Sequence, residues 1–151
     1  RQRQMCIRDR TSSLKKEKER RKERESILIF GGKNLKEMEE DGGIGWWYVN
    51  QERAENLEYA VITRCLTQEW ATHDVEQGTA IMICKLTGMV DKAIDSNRKC
   101  LRFSSYAKIN IPNAWQKMTN SQRNPFKYIE TNKLLKELEI NLNKLNWLQI
   151  A

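Results

Sequence analysis

Three consecutive aromatic residues, Trp46-Trp47-Tyr48, are the densest concentration of ring-binding chemistry in this chain. Flat rings stack on nucleobases, and basic groups beside them hold the attached phosphates. In an extended segment Trp46 and Tyr48 share one face and Trp47 takes the other. At least one large ring is therefore presented away from its neighbours. Two readings stay open for Trp46 and Tyr48: a platform or cage for a base, or ordinary core, because aromatic rings dominate small cores. Trp70, in a polar loop beside His73, carries the same two readings. Arg64, Lys85, Arg102, Lys108, Arg123 and Lys127 fall at strand ends, outward strand positions or loops. If the strands neighbour one another, Lys85, Arg102 and Lys108 form one patch. The candidate nucleic-acid-binding set is thus Trp46, Tyr48, Arg64, Trp70, Lys85, Arg102, Lys108 and Arg123. A scattered, solvated surface is the alternative for its cations.

Catalytic and metal chemistry find less material. His73-Asp74 suggests a carboxylate orienting a general-base imidazole, but adjacent residues on an extended chain point apart, and no nucleophile is obviously placed nearby. A small hydrolase using His73 is kept as an alternative function. Glu69, Asp74 and Glu76 lack calcium-loop spacing. Gly42-Gly43-Ile44-Gly45 precedes a strand rather than opening a helix, so it reads as a turn and not as a phosphate loop. Cys65, Cys84 and Cys100 have no metal-knuckle spacing, and the chain has one histidine. No metal and no cofactor are expected. Three cysteines cannot pair fully, and Cys84 lies in an apolar run, which points to a reducing, cytoplasmic compartment. No apolar stretch approaches the length of a membrane span.

The net charge of +7 over 151 residues looks like a nucleic-acid signature until it is placed along the chain. Residues 1–25 hold eleven Arg/Lys and five Asp/Glu, a balance of +6. The remaining sixteen basic and fifteen acidic residues leave +1. Only a local patch can then support nucleic-acid binding. Gln4-Met5-Cys6-Ile7-Arg8-Asp9-Arg10 resembles the translation of a sequencing-library adapter. Residues 1–10 are therefore expected to be artefact in a fragment assembled from environmental reads, with the natural N-terminus missing. From Thr11 to Glu25 the run TSSLKKEKERRKERE has one apolar residue, Leu14, and no face to bury. It reads as a solvated helix or disordered linker, with a basic nucleic-acid arm as the alternative.

The elements that must position these residues begin after that run. Ser26 to Asp41 reads as transitional, with a short apolar run at residues 27–30 and a short helix around Leu35 and Met38. Asp41-Gly42-Gly43 breaks the chain, and the domain is expected to span 42–151, behind a charged segment at 11–41. Strands are expected around Trp46-Trp47-Tyr48, over Leu57–Thr63 and over Thr79–Leu86, the last short, nearly all apolar and central. Gly88 allows a bend or bulge. Two more strands follow, at Cys100–Phe103 and at Tyr106–Ile111. In the second, Ala107, Ile109 and Ile111 face in, and Tyr106, Lys108 and Asn110 face out. Pro112 stops it. Trp115 sits on a short helix or turn, Phe126–Ile129 is a short strand, and a capped helix carries Leu134, Leu135 and Leu138.

About five or six short strands with two or three short helices predict an α+β fold: a small, strongly bent or barrel-like, mostly antiparallel sheet. The aromatic first strand, the Gly-led strand Gly78-Thr79-Ala80-Ile81-Met82-Ile83 and the Gly88 bend resemble the PUA-like superfamily, which includes EVE and ASCH domains. The resemblance covers roughly residues 44–130, and Tyr106–Tyr128 and the C-terminal helix depart from it. It implies binding of RNA or of a modified base in single-stranded or flipped DNA, and no catalytic residue carries over. The leading expectation is a non-enzymatic binding module with an aromatic pocket and a basic rim. The alternative is a protein-interaction or structural accessory domain, in a phage or bacterial defence setting.

Overall fold

Burial on both faces, rather than clean alternation, shapes the centre of this sheet. The computed structural model describes residues 24–67, 71, 73, 75–120, 122 and 124–149. Along them run β1 (Glu25–Gly31), α1 (Leu35–Asp41), β2 (Ile44–Trp47), α2 (Gln51–Glu55), β3 (Tyr59–Arg64), β4 (Ala80–Lys92) and β5 (Lys99–Ile111). Then come α3 (Ala114–Thr119), β6 (Phe126–Glu130), α4 (Thr131–Glu137), a 3-10 turn (Leu142–Lys144) and β7 (Leu148–Gln149). The strands form one mixed sheet in the order β2-β5-β4-β3-β1-β6, with β7 pairing β5 off that path. It curls into a half-barrel with four short helices, the α+β architecture expected from the sequence. Only β1 and β3 are known to run parallel; the other pairs are antiparallel.

β1 lies between β3 and β6, and Ile27, Leu28 and Ile29 are buried to within 1% of zero exposure. Ile27 and Ile29 enter one core and Leu28 the other. The domain boundary expected at residue 42 is therefore corrected: the sheet includes residues 25–31, and α1 packs its Met38 into the same core. The apolar run at 27–30 is too short to advertise a strand by periodicity, because both of its faces are covered.

β3 follows the expected pattern, and β4 has the expected apolar run but continues past Leu86 to Lys92. Ala60, Ile62, Met82 and Cys84 enter the inner core, while Val61, Ala80 and Ile83 enter the outer one. The inner core also gathers Ile44, Trp47, Phe126 and Tyr128 from the strands at the two ends of the sheet order. Only a curled sheet brings such residues together. The outer core lies under Ala114, Trp115 and Met118 of α3 and Leu134 of α4.

The two strands expected at 100–103 and 106–111 are one, β5. Leu86 pairs with Phe103 but Lys85 with Ser105, so β5 carries an extra residue there. Such a bulge shifts the side-chain parity. Leu101, Phe103 and Tyr106 consequently all enter the inner core, and Tyr106 meets Phe103 edge to face at 6.5 Å. The outward placement of Tyr106 is corrected, since both faces of the sheet are covered at that point. Gly88, at φ +84, continues β4 through a second register shift between Leu86 and Val90.

Leu28→Ala, deep in β1, is expected to destabilise the chain by about 2–5 kcal/mol. Ile94→Ala, at a residue 106% exposed, is expected to change little. Urea denaturation followed by circular dichroism separates the two. Equal midpoints would remove β1 from the folding unit.

Candidate functional site

The two ends of the curled sheet face each other without pairing, and a cavity occupies the gap. It measures about 560 Å³ and is floored by Ile29, Met38, Ile44 and Ile62 of the inner core. Trp46, Trp47 and Pro125 form its walls, and Lys33, Arg98, Cys65 and Thr67 supply polar groups. A smaller compartment of about 290 Å³ shares Trp46, Trp47, Arg98 and Pro125 and adds Tyr48, Asn124 and Phe126. The seam is tied below by Asn50, whose backbone N–H donates to the Tyr128 hydroxyl at 3.2 Å. The Arg53 guanidinium covers the Tyr128 ring at 3.9 Å and pairs with Glu25 at 2.6 Å.

Local sequence explains the wall. Asn34 and Glu37 form a capping box that starts α1, and Gly42 ends the helix in the left-handed region at φ +80. Lys33 before α1 and Asp41 at its end form an ion pair. Gly43 then passes so close to β5 that a Cβ would lie 2.4 Å from the Leu101 carbonyl oxygen. Gly45 passes over Cys100 in the same way, with a Cβ position 3.1 Å from its Sγ. This approach seats β2 and aims the indoles at the seam. Trp47 reaches across to β1, where its Cζ2 would be 3.5 Å from a Cβ on Gly31. Its Nε1–H is buried and has no acceptor among the described residues. The Gly45–Trp46 peptide bond is cis.

Of the eight candidate residues, the structure brings two to this place. Trp46 lines both compartments, and Tyr48, 62% exposed, lines the smaller one. The Arg98 guanidinium lies over the Tyr48 ring at 4.8 Å. Arg64 is corrected: it is fully buried, and its Nη1 donates to the Lys33 carbonyl at 2.7 Å beneath the cavity wall. Lys85, Arg102 and Lys108 do not form one patch. The register sets Lys108 opposite Met82 on the inner side, while Lys85 and Arg102 fall on the outer side, where Arg102 pairs with Asp91 at 2.6 Å. Trp70, Arg123, Glu69 and Asp74 lie outside the described residues. His73 is exposed and lines neither compartment. Among the described residues no cluster of three His, Cys, Asp or Glu side chains is placed to hold a metal, and no helix is long and apolar enough to cross a membrane.

Trp47, Lys33 and Arg98 were not singled out as site residues from the sequence. Adjacency to Trp46 was the available signal for Trp47, but strand alternation argued the two apart. The pairing of β2 shifts register between Ile44 and Trp47, so the alternation does not hold there. In comparisons with protein-family models, curated proteins and solved structures, nothing matches this chain.

The thiols behind the wall give a pH test of its packing. Burial pushes Cys84 well above the ordinary thiol value. Burial, with the Asp91 and Asp41 carboxylates, raises Cys100 from 9.0 to about 11. The unfolded chain loses these protons first, so the folded state binds more protons between the two values. Stability contributed by the neutral thiols is therefore full below pH 9 and falls as pH rises towards about 11. Cys100→Ala is expected to flatten the decline in urea midpoint between about pH 8 and about pH 10.5 under reducing conditions. An identical decline in both proteins would contradict the buried placement of Cys100.

Proposed function

We propose that this domain is a binding module for a flat unsaturated ring, the base of an RNA or of modified or flipped DNA, received in the cavity at the seam. One observation carries the reading: two adjacent indoles, Trp46 and Trp47, wall a cavity of about 560 Å³ that has an apolar floor and cationic groups in its lining. The volume falls in the roughly 300–1,000 Å³ typical of small-ligand sites. Stacking on an aromatic wall contributes about 1–3 kcal/mol per base. The unpaired Trp47 Nε1–H supplies a donor in the wall for a carbonyl or ring nitrogen of the ligand. Resemblance to PUA-like domains is retained as part of this proposal and rests on the sequence features given above.

The cations set its limits. Lys33 is engaged with Asp41, and the chain beyond residue 25 is close to neutral, with sixteen basic and fifteen acidic residues. Affinity then comes from the ring more than from the phosphates. Titration of the full chain with short single-stranded RNA and DNA, followed by tryptophan fluorescence, is expected to show quenching. Trp46→Ala is expected to weaken binding by about 1–3 kcal/mol. The salt slope is expected to be no steeper than about −1.4, that of two phosphate contacts on a single strand. Absence of quenching by every oligonucleotide at low salt would overturn the proposal.

A further inference from the structure

We infer that the seam holds two successive nucleotides of a single strand, one base in each compartment, with Arg98 meeting the phosphate that links them. The inference rests on the base-binding proposal above and adds the second subsite and the length of ligand. Two features of the wall carry it. The compartments, about 560 and 290 Å³, are lined in common by Trp46, Trp47, Pro125 and Arg98. A ring in one is thereby separated from a ring in the other by the same side chains, and Arg98 belongs to both. Each compartment has aromatic material of its own reach: the indoles for the larger, and Tyr48 with Phe126 for the smaller.

Charge fixes the occupant. Each of the ion pairs described elsewhere occupies its cation, as Lys33 with Asp41 and Arg102 with Asp91. Among the described residues no carboxylate pairs with Arg98, which is exposed and rests its guanidinium on the Tyr48 ring at 4.8 Å. Tyr48 thus holds a monocation at the junction of two ring-sized spaces. A ligand with two flat rings joined through a single anionic link complements that arrangement, and a phosphodiester between two nucleosides is such a ligand. Ribose and deoxyribose strands share this chemistry.

The test uses the full chain and tryptophan fluorescence with three probes: adenosine 5′-monophosphate, the dinucleotides ApA and d(ApA), and ApA joined by an uncharged methylphosphonate. The dinucleotide is expected to bind about tenfold or more tighter than the mononucleotide, the gain of a second stacked base. The uncharged analogue is expected to lose part of that gain. In Arg98→Gln the charged and uncharged dinucleotides are expected to bind alike, and in Tyr48→Ala the ratio of dinucleotide to mononucleotide affinity falls towards one. Both residues are solvent-facing, and circular dichroism checks that the variants fold. A preference between ApA and d(ApA) assigns the strand chemistry and supports the two-subsite arrangement in either direction. Mononucleotide binding with no dinucleotide gain overturns this inference and leaves the base-binding proposal standing. No binding of any probe overturns both.

Discussion

The sheet curls far enough for its end strands to share a core but not far enough for them to pair. β2 and β6 close the order β2-β5-β4-β3-β1-β6 from opposite ends, and contacts through side chains rather than a strand-to-strand backbone ladder bridge the gap between them. A closed barrel would satisfy both edges. Here the edges are managed by contact: Asn50 to Tyr128 at one level, and Trp47 over Gly31 at another. The cavity is the part of the inner core that this incomplete closure leaves unfilled. Its floor is the same set of apolar residues that stabilises the sheet.

Two local devices hold the gap at its width. On one side, Gly43 and Gly45 let β2 lie against Cys100 and Leu101, a distance that any side chain would increase. On the other, the fully buried Arg64 donates to the Lys33 and Gly31 carbonyls and fixes the segment between β1 and α1. Ala71 packs against Gly32, where a Cβ would meet it at 2.9 Å, and so presses on the same wall. Buried charge used in this way is structural. A basic residue count overstates the positive rim, because Arg64, Lys33 and Arg102 are engaged within the protein.

Much of the architecture was legible in the sequence wherever one periodicity ran unbroken. β3, β6 and α4 follow their apolar patterns, and β4 shows the continuous apolar run of a strand covered on both sides. Three failures have physical causes. β1 adjoins a long charged run, and its few apolar residues carry no period because both faces are buried. β5 contains a bulge, so its two halves read as separate strands with opposite parity, and Tyr106, expected to face out, is buried, while Lys108 is exposed as expected. The site itself depends on closure: Trp46 and Tyr48 were visible as unusual aromatics, but Lys33 and Arg98 belong to it only because the sheet brings residues sixty-five positions apart to one rim.

The central claim is that the seam cavity, and not some other face, receives a flat ring. The chain has five tryptophans, and each contributes one indole N–H signal. Proton–nitrogen NMR of the full chain during titration with adenosine 5′-monophosphate, with signals assigned by single Trp→Phe variants, reads them separately. Shifts concentrated in Trp46 and Trp47, with Trp115 of α3 and Trp147 beside Tyr59 unmoved, are the predicted result. Unmoved Trp46 and Trp47 signals, or shifts centred on Trp115 or Trp147, would contradict it.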